Sequence, residues 1–99
     1  MKAFVIAAET INDEALFSEY RKAVPATLEP FGGKFVVRGG KFTAVEGENR
    51  SRNVVIEFPD YETALACYRS PEYQANIKVR QPHSIADLII IEGHDAPQS

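Results

Sequence analysis

Ninety-nine residues, 44% of them hydrophobic and 25% charged, have the composition of an ordinary globular domain and the length of one small core. A disordered tail, a fibrous repeat and a two-domain enzyme are thereby excluded. Eleven basic against fourteen acidic residues leave a net charge of −3 and a pI near 5.3, with no run of Lys and Arg along the chain, which argues against a nucleic-acid surface.

The longest unbroken apolar run, residues 3–8, is far short of the about 20 residues of a membrane helix and of a signal-peptide core of about 7–15. No membrane partner is expected. The single cysteine, Cys67, cannot form an internal disulfide and suits a reducing compartment, so the expected location is the cytoplasm.

In chain order, residues 2–8 are short, apolar and β-branched, which predicts a buried first strand. Asn12 is placed to cap a helix, with Asp13 and Glu14 in its first turn, where the positive end of the helix dipole favours them. Leu16, Tyr20, Val24 and Leu28 recur every four residues and form one helical stripe. Pro25 lacks a backbone donor and predicts a kink or break, and Gly32-Gly33 close the segment. Residues 34–37 read as a second strand, and Gly39-Gly40 predict a bulge or bend before residues 41–46 resume the extended pattern. Residues 47–51 are polar turn material, and residues 53–58 return as the third strand of a hairpin, ended by Pro59. Asp60 caps a second helix carrying Tyr61, Ala64, Leu65 and Tyr68, and Ser70-Pro71-Glu72 restarts a helical turn that continues through Tyr73 and Ile77. Pro82 closes that piece and residues 87–91 form the last strand. A single domain over residues 1–93, with a flexible tail at 94–99, is the expected organisation.

Two right-handed crossovers around a central hairpin give the order βαββαβ. This is an α+β, ferredoxin-like sandwich, a four-stranded antiparallel sheet with its helices on one face. A sheet with one wet face alternates apolar and polar residues, yet residues 3–6, 54–56 and 88–91 are apolar at consecutive positions. Both faces therefore need cover. The simplest cover is a second copy of the same sheet, which predicts a homodimer through the open sheet face.

Arg38 and Glu57 are charged residues set in apolar strands, one in each arm of the hairpin. If they share a face they can pair, and an ion pair lining a cavity would orient a polar ligand group; otherwise they are structural. His83, between Pro82 and Ser84, is the candidate for proton transfer, weighed against a loop histidine bonded to backbone or water. Tyr20 and Tyr68 fall on the core stripes, where a phenol offers an apolar body and a hydrogen-bonding tip, and both are candidates to line a pocket. Cys67, mid-helix with no activating cation, reads as a buried inert thiol. His83 and His94 have no Cys or Glu at metal-ligand spacing, so neither a metal nor a cofactor is expected.

Four blocks carry a resemblance: Phe31-Gly32-Gly33-Lys34-Phe35-Val36-Val37-Arg38-Gly39-Gly40, Val55-Ile56-Glu57-Phe58-Pro59, Tyr68-Arg69-Ser70-Pro71-Glu72-Tyr73-Gln74, and Ala86-Asp87-Leu88-Ile89-Ile90-Ile91-Glu92-Gly93. Together they resemble domain-of-unknown-function family thirteen-thirty, small bacterial proteins of the dimeric α+β barrel superfamily. The first helix opens Asn12-Asp13 where that family often has Asp-Pro, and Cys67 stands where large apolar residues are common. The resemblance implies a ferredoxin-like protomer whose sheet pairs with another to close a barrel, and it implies no activity. The wider superfamily includes cofactor-independent monooxygenases, muconolactone-type isomerases and haem-binding chlorite dismutases, and chemistry does not transfer on fold alone.

Three functional classes follow. The first is a small dimeric module binding an apolar or carboxylate-bearing metabolite near Arg38, Glu57, Tyr20, Tyr68 and His83. The second is a cofactor-independent oxygenase or isomerase in which His83 moves a proton and Arg38 stabilises an enolate or carboxylate. The third is a structural dimer without a ligand.

Overall fold

The computed structural model of the protein describes residues 1–94. The elements are β1 (Ala3–Ile11), α1 (Glu14–Leu28), β2 (Lys34–Arg38), β3 (Arg52–Phe58), α2 (Tyr61–Arg69), α3 (Pro71–Arg80) and β4 (Ser84–Glu92), with 3₁₀ turns at Glu29–Phe31 and Gln81–His83. All neighbouring strands are antiparallel, in the order β2-β3-β1-β4. This is the ferredoxin-like α+β arrangement expected from the element order.

The expected helix cap is corrected by one residue. Asp13, in extended conformation, accepts from the Leu16 amide at 3.1 Å through Oδ1, while the Asn12 backbone N–H just before it donates to the His83 carbonyl at 2.7 Å. The buried stripe of α1 also shifts: Phe17, Val24 and Leu28 are buried while Leu16 is exposed. Spacings of three and four residues are both compatible with a 3.6-residue turn, and the larger aromatic ring takes the core position.

Pro25 does not break α1, which runs on to Leu28. A proline at this position deprives the Arg21 carbonyl of its intrahelical donor. Arg38 on β2 supplies the missing bond, donating from Nη2 to the Arg21 oxygen at 3.0 Å.

Residues 41–46 do not resume a strand. The register irregularity lies earlier, between Phe35 and Val37, and the Gly39 amide makes the final cross-strand bond, to Asn53 at 2.9 Å. Beyond it β3 offers no further partner, so residues 41–50 carry no regular structure. β1 and β4 are longer than expected because they pair along their whole length, from Ala3 opposite Glu92 to Ile11 opposite Ser84. Gly93 is tied down, its amide donating to the Lys2 carbonyl at 2.7 Å. Of the expected tail, residues 95–99 lie outside the described residues.

Pairing divides the sheet cleanly by face. Ala3, Val5, Ala7 and Glu9 of β1 stand opposite Phe58, Ile56, Val54 and Arg52 of β3, and these are the residues the helices cover. With Phe17, Leu28 and Cys67, the apolar members of these pairs make the core. The other face carries Ile6, Val37, Ile85, Ile89 and Ile91, all exposed, with Ile89 retaining 54% of its surface. No helix of the described residues is long and apolar enough to cross a membrane.

Candidate functional site

The same face that buries the core ends in charge. Continuing the alternation of β1 past Ala7 brings Glu9 under the helices, where it is only 4% exposed. Its cross-strand partner is Arg52, whose Nε donates to Glu9 Oε1 at 3.2 Å. Gly39, at φ 66°, leaves space for the Arg52 guanidinium to lie against the chain where a side chain would collide.

Around this pair opens a cavity bounded by α1, α3 and the sheet. Its apolar wall comes from Val5, Phe17, Val24, Phe35, Ile56 and Leu88, and its polar lining from Glu9, Tyr20, Arg21, Arg38, Arg52, Tyr73 and Arg80. The enclosed part is about 30 Å³, room for one or two waters by that measure. Including the open mouth and the solvent in it, the space is about 440 Å³.

Four guanidiniums therefore face one carboxylate. Arg21 and Arg52 lie 5.4 and 5.8 Å from the Phe17 ring centroid, Arg80 lies 5.6 Å from that of Tyr20, and Arg38 stacks over Phe35 at 4.2 Å. Burial raises the proton affinity of Glu9 above the ordinary carboxylate value, against the opposing pull of Arg52, Arg80 and Arg21. Burial also pushes the Tyr73 phenol up, and the adjoining Tyr20 phenol adds to the shift. Tyr20 is raised by burial too, with Arg80 pulling the other way. Because guanidiniums stay charged at any physiological pH, the lining carries a fixed excess of positive charge.

Of the residues singled out from sequence, Arg38 and Tyr20 line this cavity. Glu57 does not, because it stands on the open face of β3 while Arg38 points under the helices, so the two share no face. Glu57 instead binds Lys2 and Lys34, each at 3.4 Å. Tyr68 packs against Tyr73 with ring centroids 5.6 Å apart and lines a separate shallow recess with Tyr61, Leu65, Arg69, Leu88 and Ile90. His83 sits in the turn before β4, half-buried, outside the residues that line the cavity. Burial pushes the Cys67 thiol up to about 11, as an inert thiol requires. Among the described residues no group of three or more His, Cys, Asp and Glu side chains could hold a metal.

Glu9, Arg21, Arg52, Tyr73 and Arg80 were not picked out as site residues by sequence reasoning. The signals were present: Glu9 extends the odd-numbered stripe of β1, Arg52 extends the even-numbered stripe of β3, and Arg80 follows Tyr73 and Ile77 on one face of α3.

The fold is shared with solved structures of low sequence identity. A protein of unknown function from Rhodopseudomonas palustris, RPA0582, aligns with a TM-score of 0.76 at 17% identity, over 96% of this chain and 84% of that one. SnoaB, a cofactor-independent oxygenase from Streptomyces nogalater, aligns at 0.65 and 12% identity, over 96% and 95% of the two chains. A dimeric ferredoxin-like protein of unknown function from Thermobifida fusca aligns at 0.59 and 17% identity, over 90% of each. No curated protein matches the chain. The model of one family, Domain of unknown function (DUF1330), matches residues 2–94, and the chain belongs to that family.

Proposed function

We propose that the protein binds a small, largely apolar molecule carrying a carboxylate or comparable anionic group, in the cavity between α1, α3 and the sheet. The observation that carries this reading is the lining itself: four arginines, one buried glutamate and an otherwise apolar and aromatic wall. Arg80 is buried without a salt-bridge partner among the described residues, uncompensated buried charge is unfavourable, and an anionic ligand with an apolar body matches both halves of the lining. Arg38 and Tyr20, at the α1 side, are ligand-contacting residues in this reading.

The same reading includes a homodimer formed through the open sheet face. The exposed Ile6, Ile85, Ile89 and Ile91 support it, since a contiguous apolar sheet face is unfavourable in water. The dimeric neighbour from Thermobifida fusca supports it by analogy of fold. Cytoplasmic residence belongs to the same proposal, supported by the buried thiol of Cys67.

An enzymatic reading has one specific support, a carboxylate of raised proton affinity beside fixed cations, which suits proton abstraction next to a developing oxyanion. Position favours Glu9 over His83 for that step, because Glu9 lines the cavity.

Native mass spectrometry of gently purified protein tests the first reading. The expected spectrum is a dimer, with retained small-molecule mass released on denaturation. A monomer at micromolar concentration overturns the dimer. If a turned-over substrate emerges, Glu9→Gln lowers its turnover by about 10²-fold or more, and undiminished turnover removes Glu9 from the chemistry.

A further inference from the structure

The four guanidiniums of the cavity differ in what they already hold. Arg52 gives Nε to Glu9. Arg38 gives Nη2 to the Arg21 carbonyl and stacks on Phe35. Arg21 reaches out to Glu14 through Nη2 at 3.3 Å, while its Nε is buried with no hydrogen-bond partner. Arg80 is 8% exposed, its Nε is likewise buried and unpartnered, and it forms none of the salt bridges among the described residues. Of the four, Arg80 is therefore the most buried, and what it engages is the Tyr20 side chain and the charge of Glu9.

Resting on the binding reading above, we propose that Arg80, with Arg21 in the same lining, is the docking point for the ligand's charged group, and that this group is a carboxylate on a flat apolar body. A guanidinium presents a rigid fork of parallel donors that a carboxylate satisfies through both oxygens. The Tyr20 ring beside Arg80 and the Tyr73 side chain of the same helix, both in the lining, flank that position with aromatic surface. Glu9 offsets part of the guanidinium charge. Its carboxylate faces Arg52, Arg80 and Arg21, and the remaining positive charge of the lining is what an anionic ligand group offsets.

Titration of the intact protein with benzoate and with benzamide, an uncharged probe of the same shape, separates the claims by calorimetry. Benzoate is expected to bind about 10-fold or more tightly than benzamide, and Arg80→Gln to bring the two within about 2-fold. Equal affinity in the wild type, or a preference that survives Arg80→Gln, overturns the docking proposal while leaving the pocket reading in place. Failure of both probes to bind at millimolar concentration overturns the pocket reading itself. If Arg80→Gln does not fold by circular dichroism, Arg80→Lys decides: it keeps the charge but loses the fork, so the preference should fall about 3-fold, and an unchanged preference overturns the proposal.

Discussion

The two faces of the sheet each hold a glutamate among cations, and the two glutamates behave in opposite ways. Glu9, under the helices, faces Arg52, Arg80 and Arg21, yet its proton affinity is raised because burial outweighs them. Glu57, on the open face, has only Lys2 and Lys34, and although desolvation works against it these lysines prevail and its pKa is lowered. The balance between desolvation and the hydrogen bonds and charge of the neighbouring cations, more than their number, decides the sign.

The largest expected effect that sharpens this contrast is at Arg52. Its side chain is 16% exposed and that of Glu9 is 5% exposed, and removing one partner of a buried pair strands the other, so Arg52→Ala should cost about 3 kcal/mol. Urea unfolding measures it. A loss below about 1 kcal/mol means that Arg80 and Arg21 compensate fully and that the face behaves like a surface.

A middle-sized effect is the pH dependence of Glu9. A folded-state pKa above the ordinary 4.5 contributes stability that is fully present below 4.5 and lost as pH rises through the folded value. Because Gln mimics the protonated carboxyl, wild type should lose unfolding free energy relative to Glu9→Gln, measured at a series of pH values, as pH increases from about 4.5 upward. Parallel profiles would break the comparison.

The smallest effect is expected at Glu57, with the opposite sign. Its lowered pKa contributes stability above its ordinary value that fades as pH falls through the folded one. In the same assay the advantage of wild type over Glu57→Gln should shrink on acidification, and near neutral pH the two unfolding midpoints should lie closer together than for either variant of the Glu9 pair.

Much of the fold was legible along the chain because its signals are local. Asp60 and Ser70 cap α2 and α3 as their residue types predict, and Pro71 opens α3 as a first-turn proline should. Where local signals competed, tertiary contacts chose: Asp13 over Asn12 as the cap, Phe17 over Leu16 in the core, and a helix that runs through Pro25 because Arg38 answers the orphaned carbonyl. Residues 41–46 looked extended, but a strand exists only where a neighbour pairs with it, and none does. The site was half legible. Arg38 and Tyr20 were visible as polar groups on apolar elements, whereas Glu57 could not be told from an inward charge until its register was known.

The sequence by itself determined the order of elements, the antiparallel ferredoxin-like class and the apolar character of both sheet faces, since each depends on periodicity, caps and turn residues within a short window. Only the tertiary structure decided which charges meet. Arg21, Arg38, Arg52 and Arg80 are scattered over α1, β2, β3 and α3, and a one-residue slip in either β1 or β3 would send Glu9 or Arg52 to the opposite face. A cluster built from strand register and helix rotation leaves no contiguous basic run, and so a chain of net negative charge encloses a cationic cavity.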